Sequence, residues 1–138
     1  MAYKIPSEAR RMIETAIRRY PENKVIYDTA VEELMNCTPE NDGQPRGGGT
    51  SNPTERIAIK LASDPKLSRI KREIDAVESV YKTLKPEYQK VIRVRYWSYR
   101  HQSMSYFNME PYTNYRERQM RRIVLRFIGR VGEKLGEG

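Results

Sequence analysis

The stretch NYRERQMRRIVLRFIGRVGEKL, residues 114 to 135, decides how this chain reads. Met120, Ile123, Val124, Phe127, Ile128, Val131 and Leu135 recur at steps of three and four, so on a helix turning about 100° per residue they fall on one side. Arg118 and Arg122 lie nearly opposite that stripe, Gln119 and Arg126 flank them, and Arg116, Arg121 and Arg130 sit on the shoulders. Asn114, three residues before Glu117, is the expected N-cap: its side-chain oxygen would satisfy a free amide while the carboxylate sits at the positive helix end. Such a helix docks by one face and shows a polyanion the other.

The charge of the whole chain is concentrated around this helix. Residues 85 to 138 hold 12 Lys+Arg against 5 Asp+Glu, a net +7, while residues 1 to 84 hold 14 against 13, a net +1. The partner of the C-terminal third is therefore expected to be acidic. Nucleic acid is the leading candidate, because each neutralised phosphate releases counterions and adds affinity without sequence information. A membrane surface fits less well: the apolar stripe is regular enough to be used in packing, and no hydrophobic anchor flanks it.

Upstream, proline and glycine punctuate the chain into helical segments without strand alternation, so an all-α fold is expected. Its length of 138 residues, 38% apolar and 32% charged, suits slender helical packing rather than a large core. Ser7 is read as the cap of a first helix to Tyr20, with Ala9, Met12, Ile13, Ala16, Ile17 and Tyr20 inward. Tyr20-Pro21 closes it, and Pro21 opens a second helix in which Ile26, Ala30 and Leu34 share a side with Val25, Tyr27 and Val31 beside them. Residues 37 to 52, CTPENDGQPRGGGTSN, contain four glycines and two prolines and read as a flexible connection.

Asn52-Pro53-Thr54-Glu55 restarts the chain as a helix carrying Ile57 and Leu61, and Asp64-Pro65 repeats the signal. Leu67, Ile70, Ile74, Val77, Tyr81 and Leu84 then form a narrow seam of coiled-coil spacing, expected to pack on the first helices or on a second copy. Lys85-Pro86-Glu87 opens another helix with Tyr88, Val91, Ile92 and Tyr96 inward, ending near Trp97-Ser98. A short helix around Ser103 to Met109 follows, which Pro111 is expected to interrupt. The expected organisation is an N-terminal helical hairpin (1–36), a linker (37–52), central helices (53–84) and a C-terminal helix-turn-helix part (85–138). The N-terminal and central helices are expected to supply packing or self-association, and the C-terminal part to bind double-stranded DNA, with host RNA polymerase as a further candidate partner.

In a helix-turn-helix the last helix lies in the major groove and its early residues reach base edges. Arg118, Gln119 and Arg122 are the candidates for those contacts, since arginine fits guanine O6 and N7 and glutamine fits adenine N6 and N7. Arg116, Arg121, Arg126 and Arg130 are the candidates for phosphates, and Tyr115 for the sugar-phosphate edge. Six arginines on one helix outnumber the acids there, which sets this face apart from an ordinary solvated one.

Other chemistry finds little support. Gly47-Gly48-Gly49-Thr50-Ser51 follows no strand and lacks the Gly-Lys-Ser/Thr of a P-loop, and reads as linker. His101 has no nucleophile and carboxylate arranged around it. Tyr96, Trp97, Tyr99, Tyr106, Phe107, Tyr112 and Tyr115 could stack single-stranded bases, but the commoner use of such a group is to fill a small core. One histidine and one cysteine cannot build a four-ligand zinc site. No cofactor or enzymatic activity is expected. Cys37 has no disulfide partner and no apolar run approaches signal or membrane length, so the expected setting is cytoplasmic, without a membrane partner.

Residues 43 to 97 combine the Gly-rich tract, Asn-Pro-Thr-Glu-Arg at 52 to 56, the helix with Leu67, Ile70 and Ile74, then Leu84-Lys-Pro-Glu-Tyr-Gln-Lys-Val-Ile and Arg95-Tyr96-Trp97. Together with the basic last helix ending Gly132-Glu-Lys-Leu135-Gly136, this resembles the RinA/ArpU group of phage transcriptional regulators. The C-terminal half also resembles region 4 of bacterial sigma factors. The resemblance implies a DNA-binding activator of phage late genes, for packaging and morphogenesis, that acts with host RNA polymerase in the bacterial cell. It places Tyr115 to Arg122 at the start of the recognition helix, held by Met120 and Ile123, although Glu110-Pro111-Tyr112 departs from the usual small-residue turn. Two rivals share these features: a small terminase subunit binding DNA as a ring, and a sigma-like module binding RNA polymerase.

Overall fold

The computed structural model describes residues 6–36, 53–98 and 104–136. The linker with Cys37 and the glycine tract, and the segment with Tyr99, His101 and Ser103, lie outside the described residues. All regular structure within them is helical, as the periodicity predicts: α1 (Ser7–Arg18), α2 (Tyr20–Asn36), α3 (Pro53–Ser63), α4 (Pro65–Tyr81), α5 (Pro86–Ile92), α6 (Tyr106–Thr113) and α7 (Glu117–Leu135). α5 runs on through a widened π turn, Arg93–Trp97, closed by the Ser98 N–H donating to the Arg93 carbonyl at 2.7 Å. The Asp64-Pro65 signal works as read: Asp64 Oδ1 accepts from the amides of Lys66 (2.9 Å) and Leu67 (3.1 Å), capping α4.

The chain divides into two compact units, Met1–Pro21 with Glu73–Gly138, and Glu22–Arg72. In the first, α7 is the central element, with α1, α5 and α6 packed on it. Met120, Val124, Phe127, Ile128 and Val131 of its predicted stripe are fully buried, and Ile123 and Leu135 half-buried at the margin. Each fully buried side chain of this size contributes about 1.5 to 3 kcal/mol, so this stripe is the largest apolar contribution of any one element. Ile13 and Ile17 of α1 and Val77 and Val80 of α4 belong to the same core. Gly132 permits the close approach of α1, since a Cβ there would stand 2.7 Å from Ile13 Cδ1.

Polar ties complete the joint. The Tyr96 hydroxyl donates to Glu14 Oε2 at 2.7 Å, and Trp97 Nε1 donates to the Ile17 carbonyl at 2.7 Å. The Trp97 ring lies 5.1 Å from that of Tyr20 and 5.2 Å from that of Tyr81. Of the aromatic cluster, Tyr96 and Tyr106 are buried and Trp97 is half-buried, which fits the core reading; Phe107 and Tyr112 stay exposed.

The second unit has a thin core. Leu61 and Ile70 are its buried apolar side chains among the described residues, and the polar Asn23 is buried as well. Ile26, Tyr27, Ala30, Val31 and Leu34 are half-buried, and the Lys71 ammonium stands 5.5 Å from the centre of the Tyr27 ring.

Four local readings change. Ser7 is the first helical residue of α1 and Pro6 its cap position, because the Arg10 amide bonds back to the Pro6 carbonyl at 2.9 Å. Met12, placed inward by its spacing, is 63% exposed; the stripe of α1 narrows to Ile13, Ala16 and Ile17. The α4 seam is broader than a coiled-coil strip, since Ala76 and Val80 are buried with Ile74 and Val77. Pro111 does not interrupt α6 but lies within it, the cost being offset by burial of Tyr106, Met109 and Thr113 around it. α1 falls in the same compact unit as α7, and α2 in the other.

Burial raises the Tyr96 hydroxyl above its ordinary range, and the Glu14 carboxylate raises it further. Above roughly pH 10 the unfolded tyrosine ionises while the folded one keeps its proton, so stability falls as pH rises. Urea midpoints measured from pH 8 to 11 are expected to decline, and the decline to be shallower in Tyr96→Phe. An equal slope in both proteins would contradict the assignment.

Candidate nucleic-acid interface

The geometry of α6, the turn and α7 is set by local hydrogen bonds. Ser105 caps α6, its hydroxyl accepting from the Asn108 amide at 3.2 Å. Asn114 ends α6 in the left-handed region at φ 65°, its amide donating to the Glu110 carbonyl at 3.0 Å. Asn114 is therefore not the cap of α7, as its spacing from Glu117 suggests; a side chain that tolerates a positive φ is used instead to reverse the chain. The cap position falls to Arg116, whose amide donates to Gln119 Oε1 at 3.0 Å. Across the turn, Glu110 Oε2 accepts from the Glu117 amide at 2.8 Å, putting a carboxylate at the positive end of α7. The Thr113 hydroxyl, buried under the turn, accepts from the Tyr115 amide at 3.3 Å and lies 3.1 Å from Met120 Sδ.

The sequence-predicted residues then sort into two groups. Arg118, Arg122 and Arg126 are exposed and follow one another at four-residue steps, continuing to half-buried Arg130, a line about 18 Å long. None of these, nor exposed Arg116, makes an ion pair among the described residues. Arg121 stands apart: its guanidinium donates to Glu117 Oε2 at 2.7 Å and lies 4.8 Å from the centre of the Tyr106 ring. That pair is solvent-exposed on both sides and holds the side chain more by geometry than by energy. Gln119 is exposed but already uses one oxygen lone pair at the cap. Tyr115 is half-buried, its ring 5.9 Å from that of Tyr88 on α5.

The segment from Leu84 to Arg93 joins this surface, beyond the residues that the spacing of the last helix marks. Tyr88 and Leu84 share a narrow cleft with Arg122, Arg126 and Arg130. Lys90 and Arg93, both exposed, line an open cleft of about 460 Å³ with Asn114 and Tyr115 of the turn. The Arg93 guanidinium donates to the Tyr81 hydroxyl at 2.8 Å, which steadies it. Their spacing of three residues, out of phase with buried Val91 and Val94, carried the signal, but two cations on a short helix are too common to mark alone.

Among the described residues no cluster of three His, Cys, Asp or Glu could hold a metal, and no helix is long and apolar enough to cross a membrane. The chain belongs to the family described as Protein of unknown function (DUF722), whose model matches residues 22–132. No curated protein and no solved structure matches it.

The left-handed residue in the turn makes a direct test of this geometry. Asn114→Ala is expected to destabilise the protein by about 1 kcal/mol, the ordinary cost of forcing a Cβ residue without a local polar side chain to positive φ, while Asn114→Gly leaves stability nearly unchanged. Chemical denaturation of the three proteins decides; a harmless alanine would mean the turn is built differently.

Proposed function

We propose that this chain is a sequence-specific double-stranded DNA-binding regulator in which α6 and α7 act as a helix-turn-helix, α7 entering the major groove. The observation that carries the reading is the line Arg118, Arg122, Arg126: exposed, on the side of α7 opposite the buried stripe, without carboxylate partners among the described residues. A cationic face meant only for solvation would be expected to alternate with acids, as Glu117 and Arg121 do.

The geometry refines the roles. Arg118 and Arg122, in the first half of α7, are the principal base readers, since each can hold guanine bidentately. Gln119 keeps its amide nitrogen for a base but shares its oxygen with the cap. Arg126, Arg130 and Arg116 meet phosphates, with Lys90 and Arg93 of α5 adding to the cationic surface on the flank of the turn. Arg121, tied to Glu117, contributes less than the others, and Tyr115 acts from the turn, where it braces α5. The resemblance to the phage regulators supplies the setting: activation of late genes in a bacterial cell alongside host RNA polymerase.

Gel-shift titration against the preferred site is the test. Arg122→Ala is expected to weaken binding by about 1 to 3 kcal/mol and to relax base preference. Arg130→Ala is expected to weaken all duplexes equally and to lower the salt slope by about one. If Arg122→Ala altered neither affinity nor preference, the reading face would be misassigned.

A further inference from the structure

The unit Glu22–Arg72 leaves two helix faces uncovered, and they complement each other. Along α2, Val25, Asp28, Glu32 and Met35 are exposed at steps of three and four, with Val25 at 65% and Met35 at 61%, around an open groove of about 430 Å³. Along α3, Arg56, Ile59 and Lys60 share a face, with Ile59 at 63%. One face is apolar with carboxylates and the other apolar with cations. None of Asp28, Glu32, Arg56 or Lys60 makes an ion pair among the described residues.

We propose that these two faces meet between copies: the α2 groove of one chain receives the α3 face of a second, and the reverse contact forms at the same time, giving a two-fold dimer. The pairing is reciprocal, so it closes at two chains. The groove from Val25 to Met35 runs about 15 Å, longer than the roughly 6 Å from Arg56 to Lys60, so the whole charged face of α3 fits within it. Ile59 enters between Val25 and Met35 while Arg56 and Lys60 meet Asp28 and Glu32. The need for a partner follows from the thin core. α3 has 11 residues and, among the described residues, Leu61 is its one buried side chain; a helix of that length is marginal without packing. A second copy doubles the contact at no cost in sequence and supplies the apolar cover that Leu61 and Ile70 alone do not.

Charge exchange in the full-length protein, read by light scattering behind size exclusion, tests the pairing. One variant carries Asp28→Lys with Glu32→Lys, the other Arg56→Glu with Lys60→Glu. The unaltered protein is expected to have the mass of two chains, and each variant alone that of one. An equimolar mixture of the two is expected to return to two, because the exchanged α2 of one then faces the exchanged α3 of the other, and the remaining α2 and α3 faces are native. Recovery on mixing supports the pairing even where a variant alone loses helicity. A monomeric unaltered protein, a ring of more than two chains, variants that still dimerise alone, or a mixture that fails to recover would each overturn it.

Discussion

Everything in the larger unit depends on α7 having two incompatible faces at once. Its apolar stripe is the post on which α1, α5 and α6 dock, and the same backbone fixes five arginines relative to that post. Met120, Val124 and Ile128 have no solvent exposure, so α7 cannot rotate about its axis without exposing them. The direction in which Arg118, Arg122 and Arg126 point is therefore a consequence of core packing. A helix so pinned presents its side chains in a rigid frame, which is the condition for reading a groove by direct contact.

The end of that helix is set by a different kind of interaction. Glu110 and Gln119 satisfy the amides of Glu117 and Arg116, and Thr113 and Met120 fill the space under the turn. The turn itself is braced from α5 by the ring contact of Tyr88 with Tyr115. A carboxylate seven residues before the amide it accepts from ties α6 to α7 directly, so the angle between the helices is held by a charge-assisted hydrogen bond as well as by packing.

These two kinds of interaction differ in how far the amino-acid sequence reveals them. The stripe of α7 was readable because seven apolar residues keep one period over 16 residues, and nothing else in the fold competes with that signal. The same holds for Asp64-Pro65, where cap and helix are adjacent. Asn114 was misplaced because its spacing to Glu117 imitates a cap, while its use depends on φ, which sequence does not carry. Pro111 was read as a break because the propensity is strong, yet Tyr106, Met109 and Thr113 bury enough to hold the helix through it. Met12 fits the period of α1, but the covered strip of α1 is only Ile13, Ala16 and Ile17 wide, and period alone does not give the width of the contact. The arginine line is visible in sequence, and so is the i, i+4 step from Glu117 to Arg121; the Tyr106 ring that also holds Arg121 is not, because it comes from another helix.

The line of arginines also carries an energetic argument about what it is for. Arg118, Arg122, Arg126 and Arg130 are successive i, i+4 neighbours, and like charges so placed destabilise a helix by roughly 0.2 to 0.5 kcal/mol per pair. Three such pairs are easily outweighed by the fully buried stripe, at about 1.5 to 3 kcal/mol for each large side chain. The core thus tolerates a face that no carboxylate among the described residues relieves by an ion pair. In the proposed complex a polyanion that neutralises the line would remove the repulsion and release the counterions condensed on itself, so the repulsion in the free helix would favour the bound one. A face kept cationic against its own helix, on an element that cannot turn away, carries a repulsion that the proposed duplex would discharge.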